Sequence, residues 1–425
     1  EEDGRFELVG AGVVGRRAPL TAAVAVATAA VLATCLLTGL GYAAIGMDVA
    51  GSLAAAAGWA ATGLAFVGLA AVAAQLASTA RGCAGLTMGA LGVLFLLRAI
   101  ADAGTGVPGW LGWVSPVGWT SKAEAFGADR SWVVFLGVGL LAVCLVAAFA
   151  LLQRRDLGAG LLPARRGRAN AGATLAGPVG LAWRLGRSST IGWTVGMLVG
   201  GLVIGSLAKS AMDMFADPAI ADLLRKMGGG VGLLSDVYLS TELGFIAIIA
   251  AAYGVTTVLR WRAEETQGHT ELVLATADSR TRYAASHLLV ALLGTAALVF
   301  ALGLGTVLAD ASGGGTLGGA GRVLPAALIR LPAVWVCVGV AVAAIGWFPR
   351  WTAAIGWGAL AFFLVVGEFG GVFGMPQWLM DLAPFTHVPR MPVEAFAWPP
   401  TIALTAVAAG LCIVGVLGFR RRDIG

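Results

Sequence analysis

Residues 260–282 read RWRAEETQGHTELVLATADSRTR, the longest charged run in an otherwise oily chain. The segments on either side, Leu243–Leu259 and Ala284–Leu308, have the length and apolar content of bilayer-crossing helices. A charged insert between two such segments is a short turn on one face of a membrane. The chain opens with a second copy, EEDGRFELVGAGVVGR. Ungapped overlay pairs Glu1 with Glu265, Gly4 with Gly268, Glu7 with Glu271, Leu8 with Leu272, Val9 with Val273, Ala11 with Ala275 and Arg16 with Arg280. A polar insert recurring at equivalent places in two hydrophobic halves predicts a duplicated membrane protein.

Composition agrees. The chain is 58% hydrophobic and 12% charged, against about 25% charge in a soluble domain. Its mean hydropathy is +0.87. The net charge of +5 is too small and too dispersed to suggest nucleic acid. Five Cys and three His lie singly, with no metal-ligand spacing. No phosphate loop is present: Gly205–Ser210 comes nearest but has Ala208 where the motif needs Gly. No nucleophile–His–acid arrangement appears either, so a membrane-embedded enzyme is a disfavoured rival reading.

Ten apolar segments are long enough to span: Leu20–Tyr42, Ser52–Leu76, Ala84–Ala101, Ser131–Leu152, Ile191–Ala208, Leu243–Leu259, Ala284–Leu308, Val323–Phe348, Thr352–Phe373 and Thr401–Phe419. The expected fold is therefore an all-α polytopic membrane protein. Arg and Lys fall mostly on one side, including Arg16, Arg17, Arg154, Arg155, Arg260, Arg262, Arg280, Arg282 and Arg420–Arg422. The positive-inside rule makes that side cytoplasmic, with both polar repeats and the C-terminus. Such a chain belongs in the plasma (inner) membrane.

The duplication runs further. VPGWLGWVSP at 107–116 matches MPQWLMDLAP at 375–384, and RRDLG at 154–158 recurs as RRDIG at 421–425. This predicts two pseudo-symmetric six-helix halves: residues 1–158, a cytoplasmic linker at 159–176, and residues 177–425. The first half shows four spans, so the expectation is that it lacks its first two helices, about 85–100 residues by analogy with the second half, the alternative being a natural ten-span chain. Pro178–Ser188 reads as a separate interfacial helix, and Lys209–Glu242 as a small extracellular cap.

The insert EE-x-x-G-x-x-E-L-V, with Arg nine residues after its last Glu and placed after the second span of a six-span half, resembles the permease of type-2 ATP-binding-cassette exporters. The paired repeats and RRDLG-type half ends look like the fused two-half permeases of actinobacterial drug and polyketide-antibiotic exporters. The resemblance implies that this turn is a coupling helix docking on a separate ATPase subunit. By matching position, Glu264, Glu265, Gly268, Glu271 and Arg280 would form one coupling element, and Glu1, Gly4, Glu7 and Arg16 the other. Leu272, Val273 and Ala275 would pack while the carboxylates meet the partner. The resemblance further implies two ATPase copies, ATP and Mg held there with no cofactor in this chain, and a hydrophobic small-molecule substrate carried through lipid. The rival reading is an ion- or proton-driven secondary transporter, which needs a carboxylate near mid-membrane.

Charges inside spans are costly and usually meet a partner or a cavity. Arg98 and Asp102 stand one turn apart, and Arg330 and Glu368 lie toward the outer ends of two spans. Both sets read as gate residues or as mutually satisfied pairs. Phe245, Ile249 and Tyr253 share a helical spacing and are candidate pathway residues or ordinary packing. Gly192, Gly196, Gly200, Gly201 and Gly205 place small residues along one span, which reads as a packing ridge or as chance spacing in a chain with 63 Gly.

Overall fold

The computed structural model describes residues 12, 14–103, 108–156, 158–162, 170, 172, 175, 177–215, 231–276, 278–312 and 320–423. Every regular element among them is helical. Among the described residues, ten helices are long and apolar enough to cross a membrane, as expected for an all-α polytopic protein. Helices suit such sequences because lipid offers the backbone no hydrogen-bond partner. The chain divides into two compact units, Glu1–Arg168 and Ala169–Gly425.

The first unit holds α1 (Ala18–Ala44), α2 (Val49–Leu76), α3 (Ala80–Ala103) and α4 (Val134–Leu152). Asp48 caps α2 by accepting from the Gly51 amide at 3.0 Å. Helix α2 is the buried one and packs on α1, α3 and α4. Its contacts use small residues: a Cβ on Gly137 of α4 would lie 2.4 Å from the Ala61 carbonyl oxygen, and one on Gly68 would lie 2.8 Å from the Cys144 Cβ. Backbones approach closely because no side chain intervenes.

The second unit holds α5 (Pro178–Phe215), α6 (Val231–Thr266), α7 (His269–Leu274), α8 (Arg280–Ser312), α9 (Ala320–Leu328), α10 (Leu331–Trp347), α11 (Thr352–Phe369) and α12 (Trp398–Arg421). The α10–α12 crossing repeats the α2–α4 one. A Cβ on Gly339 would meet the Leu411 Cβ at 2.9 Å, and Gly346 and Gly415 bring their backbones together. Gly339 and Leu411 stand where Gly68 and Cys144 stand in the first unit. The outer loops repeat too: the Trp119 indole donates to the Trp113 carbonyl at 2.8 Å, and His387 Nε2 lies 2.8 Å from the Asp381 carbonyl.

Three expectations change. Pro178–Ser188 is not a separate helix; it continues without interruption into the span as α5. Lys209–Glu242 is not all cap: α5 runs through Phe215 and α6 begins at Val231, while residues 216–230 lie outside the described set. The eighth span breaks at Ile329–Arg330, with Pro325 inside α9 and Pro332 opening α10. There the Arg330 amide bonds to Ala327, and the carbonyl of Ala326 accepts the Arg330 guanidinium instead. Proline explains the break, since it cannot donate to the preceding turn.

The glycine ridge of α5 resolves into two sets. A Cβ on Gly201 would lie 2.1 Å from the Leu302 carbonyl oxygen, and one on Gly305 of α8 would lie 2.1 Å from that of Leu198. Gly192 and Gly196 meet nothing within 4 Å. Gly201→Val should therefore overpack the α5–α8 crossing and cost about 1–3 kcal/mol, whereas Gly192→Val should stay within about 0.5 kcal/mol of the parent. Thermal unfolding of the two variants in detergent checks this; equal melting would remove the glycine contact as the determinant of that crossing.

Candidate functional site

Helix α6 ends where the chain reverses at Gly268, which has φ +76°. A side chain there would be strained, because L-residues rarely adopt that conformation. The single short helix α7 follows, and α8 begins at Arg280. The charged stretch is thus a helix–turn–helix–turn on the membrane face.

Its inner side is tied to the end of the last span. Arg422 makes a two-pronged pair with Glu265, at 2.5 and 2.6 Å, and Arg262 adds a contact at 2.9 Å. The Glu265 side chain is only 5% exposed. Arg280 donates to the carbonyls of Arg420 (3.2 Å) and Arg422 (2.9 Å), satisfying acceptors that the end of α12 leaves open. The Arg422 guanidinium also sits 5.1 Å over the Phe419 ring. Beneath lies an aromatic floor of Trp261, Tyr283, His287 and Phe419, with Trp261 and Phe419 centroids 4.9 Å apart. The buried Thr270 hydroxyl meets the Tyr283 hydroxyl at 3.0 Å and pins α7 to this floor. Glu264 pairs with His269 at 2.9 Å.

The outward face differs in part from the one expected: Val273 packs and Glu271 faces out as expected, while other positions exchange. Glu264, Glu265 and Arg280 are engaged within the chain, whereas Glu271 is exposed and Leu272 is 72% exposed. Leu272 and Ala275, expected to pack, are exposed; Thr270 packs beside Val273 instead, because the aromatic floor offers it the Tyr283 hydroxyl. Arg422 was visible only as part of a repeated half end. The signal for its role was that RRD recurs wherever the Glu/Arg insert recurs.

Among its described residues, the first unit repeats one element of the clamp. The Arg16 guanidinium donates to the Arg155 carbonyl, as Arg280 donates to that of Arg422. Arg155 is buried and donates to Ala74 at 3.1 Å. Glu1, Gly4 and Glu7 lie outside the described residues.

The other candidates separate. Arg98 pairs with Asp102 at 2.5 Å and reaches the Gly118 carbonyl at 3.3 Å, closing that corner of the first unit. Phe245 and Ile249 are exposed, but Tyr253 is 2% exposed and bonded to Thr190 at 2.7 Å, in the notch left by Gly294. Steps of four residues drift about 40° on a 3.6-residue helix, which turns Tyr253 off the face of the other two and into the core. There it packs in the core. Arg330, 4% exposed, is held by carbonyls of Ala326 and Ser240, the latter at 2.6 Å, and makes no ion pair with Glu368. Both line a cavity of about 380 Å³ with Arg390 and Glu394, two residues the sequence reading passed over.

A polytopic bundle with charged turns at one membrane face and a polar cavity at the far end of α6 has the form of a membrane permease. The comparisons give the family. Residues 175–420 match the one described as "Multidrug efflux system permease Rv1217c, C-terminal domain". The chain is 41% identical over 429 residues to the multidrug efflux system permease protein Rv1217c of Mycobacterium tuberculosis (strain ATCC 25618 / H37Rv), across 100% of this chain and 77% of that relative. It belongs to this family of multidrug efflux permeases.

Glu265→Ala should destabilise the second unit by about 3–5 kcal/mol, the usual cost of stripping one partner from a buried pair. Arg422→Ala should cost less, since Arg262 still holds Glu265. Exchanging the two residues should recover part of the loss. Detergent melting curves of the two single variants and the exchange decide it; additive losses in the exchange would mean that the pair contributes nothing as a pair.

Proposed function

We propose that this chain is the membrane-spanning permease of an ATP-driven exporter of hydrophobic drugs or antibiotics, working with two copies of a separate ATPase subunit. The observation that carries the reading is the α6–α7–α8 turn. Its inner face is locked to α6, α8 and the end of α12, and its outer tip presents exposed Glu271 beside exposed Leu272. A force applied at such a tip reaches three spans at once, because the clamp leaves no slack. Charge for orientation beside an apolar contact for affinity is also what a docking helix offers a protein partner. ATP and Mg would be held by the partner, and this chain would supply the path.

Exporting function requires the turn to face the cytoplasm, where ATP is. The clustering of Arg beside both repeats and at the C-terminus supports that orientation and a place in the plasma membrane. On this reading Glu264, Glu265, Gly268 and Arg280 shape the turn, and Glu271 is the residue that meets the partner. Glu1, Gly4, Glu7 and Arg16 would serve the first half in the same way.

Glu271→Arg should leave the melting temperature of the chain unchanged, since an exposed charge changes stability by no more than about 0.5 kcal/mol. It should weaken ATPase association by roughly thirtyfold or more, the equivalent of a lost interfacial charge pair of about 2–5 kcal/mol. The assay is pull-down of the ATPase subunit, with drug uptake into inverted vesicles. ATPase capture and uptake that both match the parent would reduce the turn to a polar loop. ATP turnover by the pure chain would overturn the division of labour.

A further inference from the structure

The cavity at the far end of α6 is built from the second unit alone. Ser240 and Thr241 of α6, Arg330 at the α9–α10 break, Glu368 near the end of α11, and Phe385 and Arg390 from the loop before α12 line it. Its volume of about 380 Å³ falls in the range of small-molecule sites. Ser240 and Glu265 are 25 positions apart on α6, about 37 Å at 1.5 Å per residue, so the cavity is remote from the clamped turn.

Most of its polar groups are already occupied. Arg330 is spent on the carbonyls of Ala326 and Ser240 and on the Ser240 hydroxyl at 3.4 Å. The Thr241 hydroxyl donates to Val237, and that of Thr386 to Ala383. Glu394 accepts the Arg390 backbone amide at 2.9 Å. Nearby Asp236 is paired with Arg322 at 2.6 Å. Two charged ends are left. Among the described residues, neither the Glu368 carboxylate nor the Arg390 guanidinium has a side-chain hydrogen bond or an ion-pair partner within 4 Å. Yet Arg330 and Arg390 are the cations whose charges act on Glu368. Glu368 is half-buried in a span that ends at Phe369, where an unpaired carboxylate is costly.

Opposite charges facing one cavity without touching favour a molecule that brings both complements. A cation alone would satisfy Glu368 but meet two arginines; an anion alone would satisfy Arg390 but meet two glutamates. The apolar wall adds Phe385, Val237 and Val393. We propose that this cavity is a binding site for zwitterionic amphiphiles, with the amine of the ligand on Glu368, its carboxylate on Arg390 and its apolar body against Phe385. Arg330 keeps the cavity electroneutral and holds its floor at the helix break. The site does not depend on how transport is energised.

Three fluorescent probes on one five-carbon chain test it. Nε-dansyl-lysine carries amine and carboxylate, dansylcadaverine only the amine, and N-dansyl-6-aminohexanoate only the carboxylate. Titrated into the chain in lipid nanodiscs, the zwitterion should bind at least tenfold tighter than either single-charge probe. Glu368→Gln should bring Nε-dansyl-lysine to the level of the hexanoate probe, and Arg390→Gln should bring it to the level of dansylcadaverine. Arg390 is exposed and its hydrogen bonds among the described residues run through its backbone amide and carbonyl, so its variant should fold even where Glu368→Gln does not. Three probes binding within twofold of one another would overturn the proposal, as would a zwitterion preference untouched by Arg390→Gln.

Discussion

In a hydrocarbon solvent, a helix gains nothing by hiding leucine from its surroundings, so two helices stay together only where their backbones come close enough for dispersion to accumulate. This structure depends on that constraint. Its main crossings occur where Gly or Ala faces backbone: Gly137 on Ala61, Gly201 on Leu302, Gly305 on Leu198 and Gly415 on Val342. Part of the large apolar set does other work. Leu36, Leu37, Phe135 and Val146 remain exposed, as suits a lipid-facing surface. The abundance of Gly in the chain is therefore the raw material of its packing, used selectively: some glycines meet backbone and others meet nothing.

Close packing alone would leave the ends of the spans free to move separately. At one face of the second unit, charge removes that freedom. Glu265 takes Arg422 in two-pronged fashion, and Arg280 closes the open carbonyls of the same helix end. Pairs of this kind give orientation as well as energy. The last residues of the chain become a strap across the α6–α8 turn. Among its described residues, the first unit repeats one contact of this strap, the Arg16 guanidinium on the Arg155 carbonyl.

At the opposite end of α6 the principle is different. Proline breaks a span, the freed carbonyl holds Arg330, and the break opens a cavity among charges that do not meet. On the proposed reading, rigidity would lie where force enters and room where a molecule binds. Within the second unit these features stand at opposite ends of one long helix, as a paired charge network and as an unpaired one.

Sequence alone determined the broad outcome. The length and purity of ten apolar runs dictate spanning helices, because lipid leaves the backbone no alternative, and the doubled EE…G…EL…R insert made the duplication and the exporter resemblance legible. It also showed that Arg98 and Asp102 were one turn apart, close enough to pair. Orientation about each helix axis was decided by tertiary structure. Heptad-like counting could not tell that Tyr253 turns away from Phe245, that Leu272 faces out while Glu265 faces in, or that Gly201 packs and Gly192 does not. Nor could it join Glu265 to Arg422, which are 157 positions apart in sequence. In a soluble protein, burial follows hydrophobicity and such directions can be read from the pattern. In a membrane, apolar residues are at home on every side, so the inward face of a helix is chosen by the shape of its neighbours and by where charges find partners.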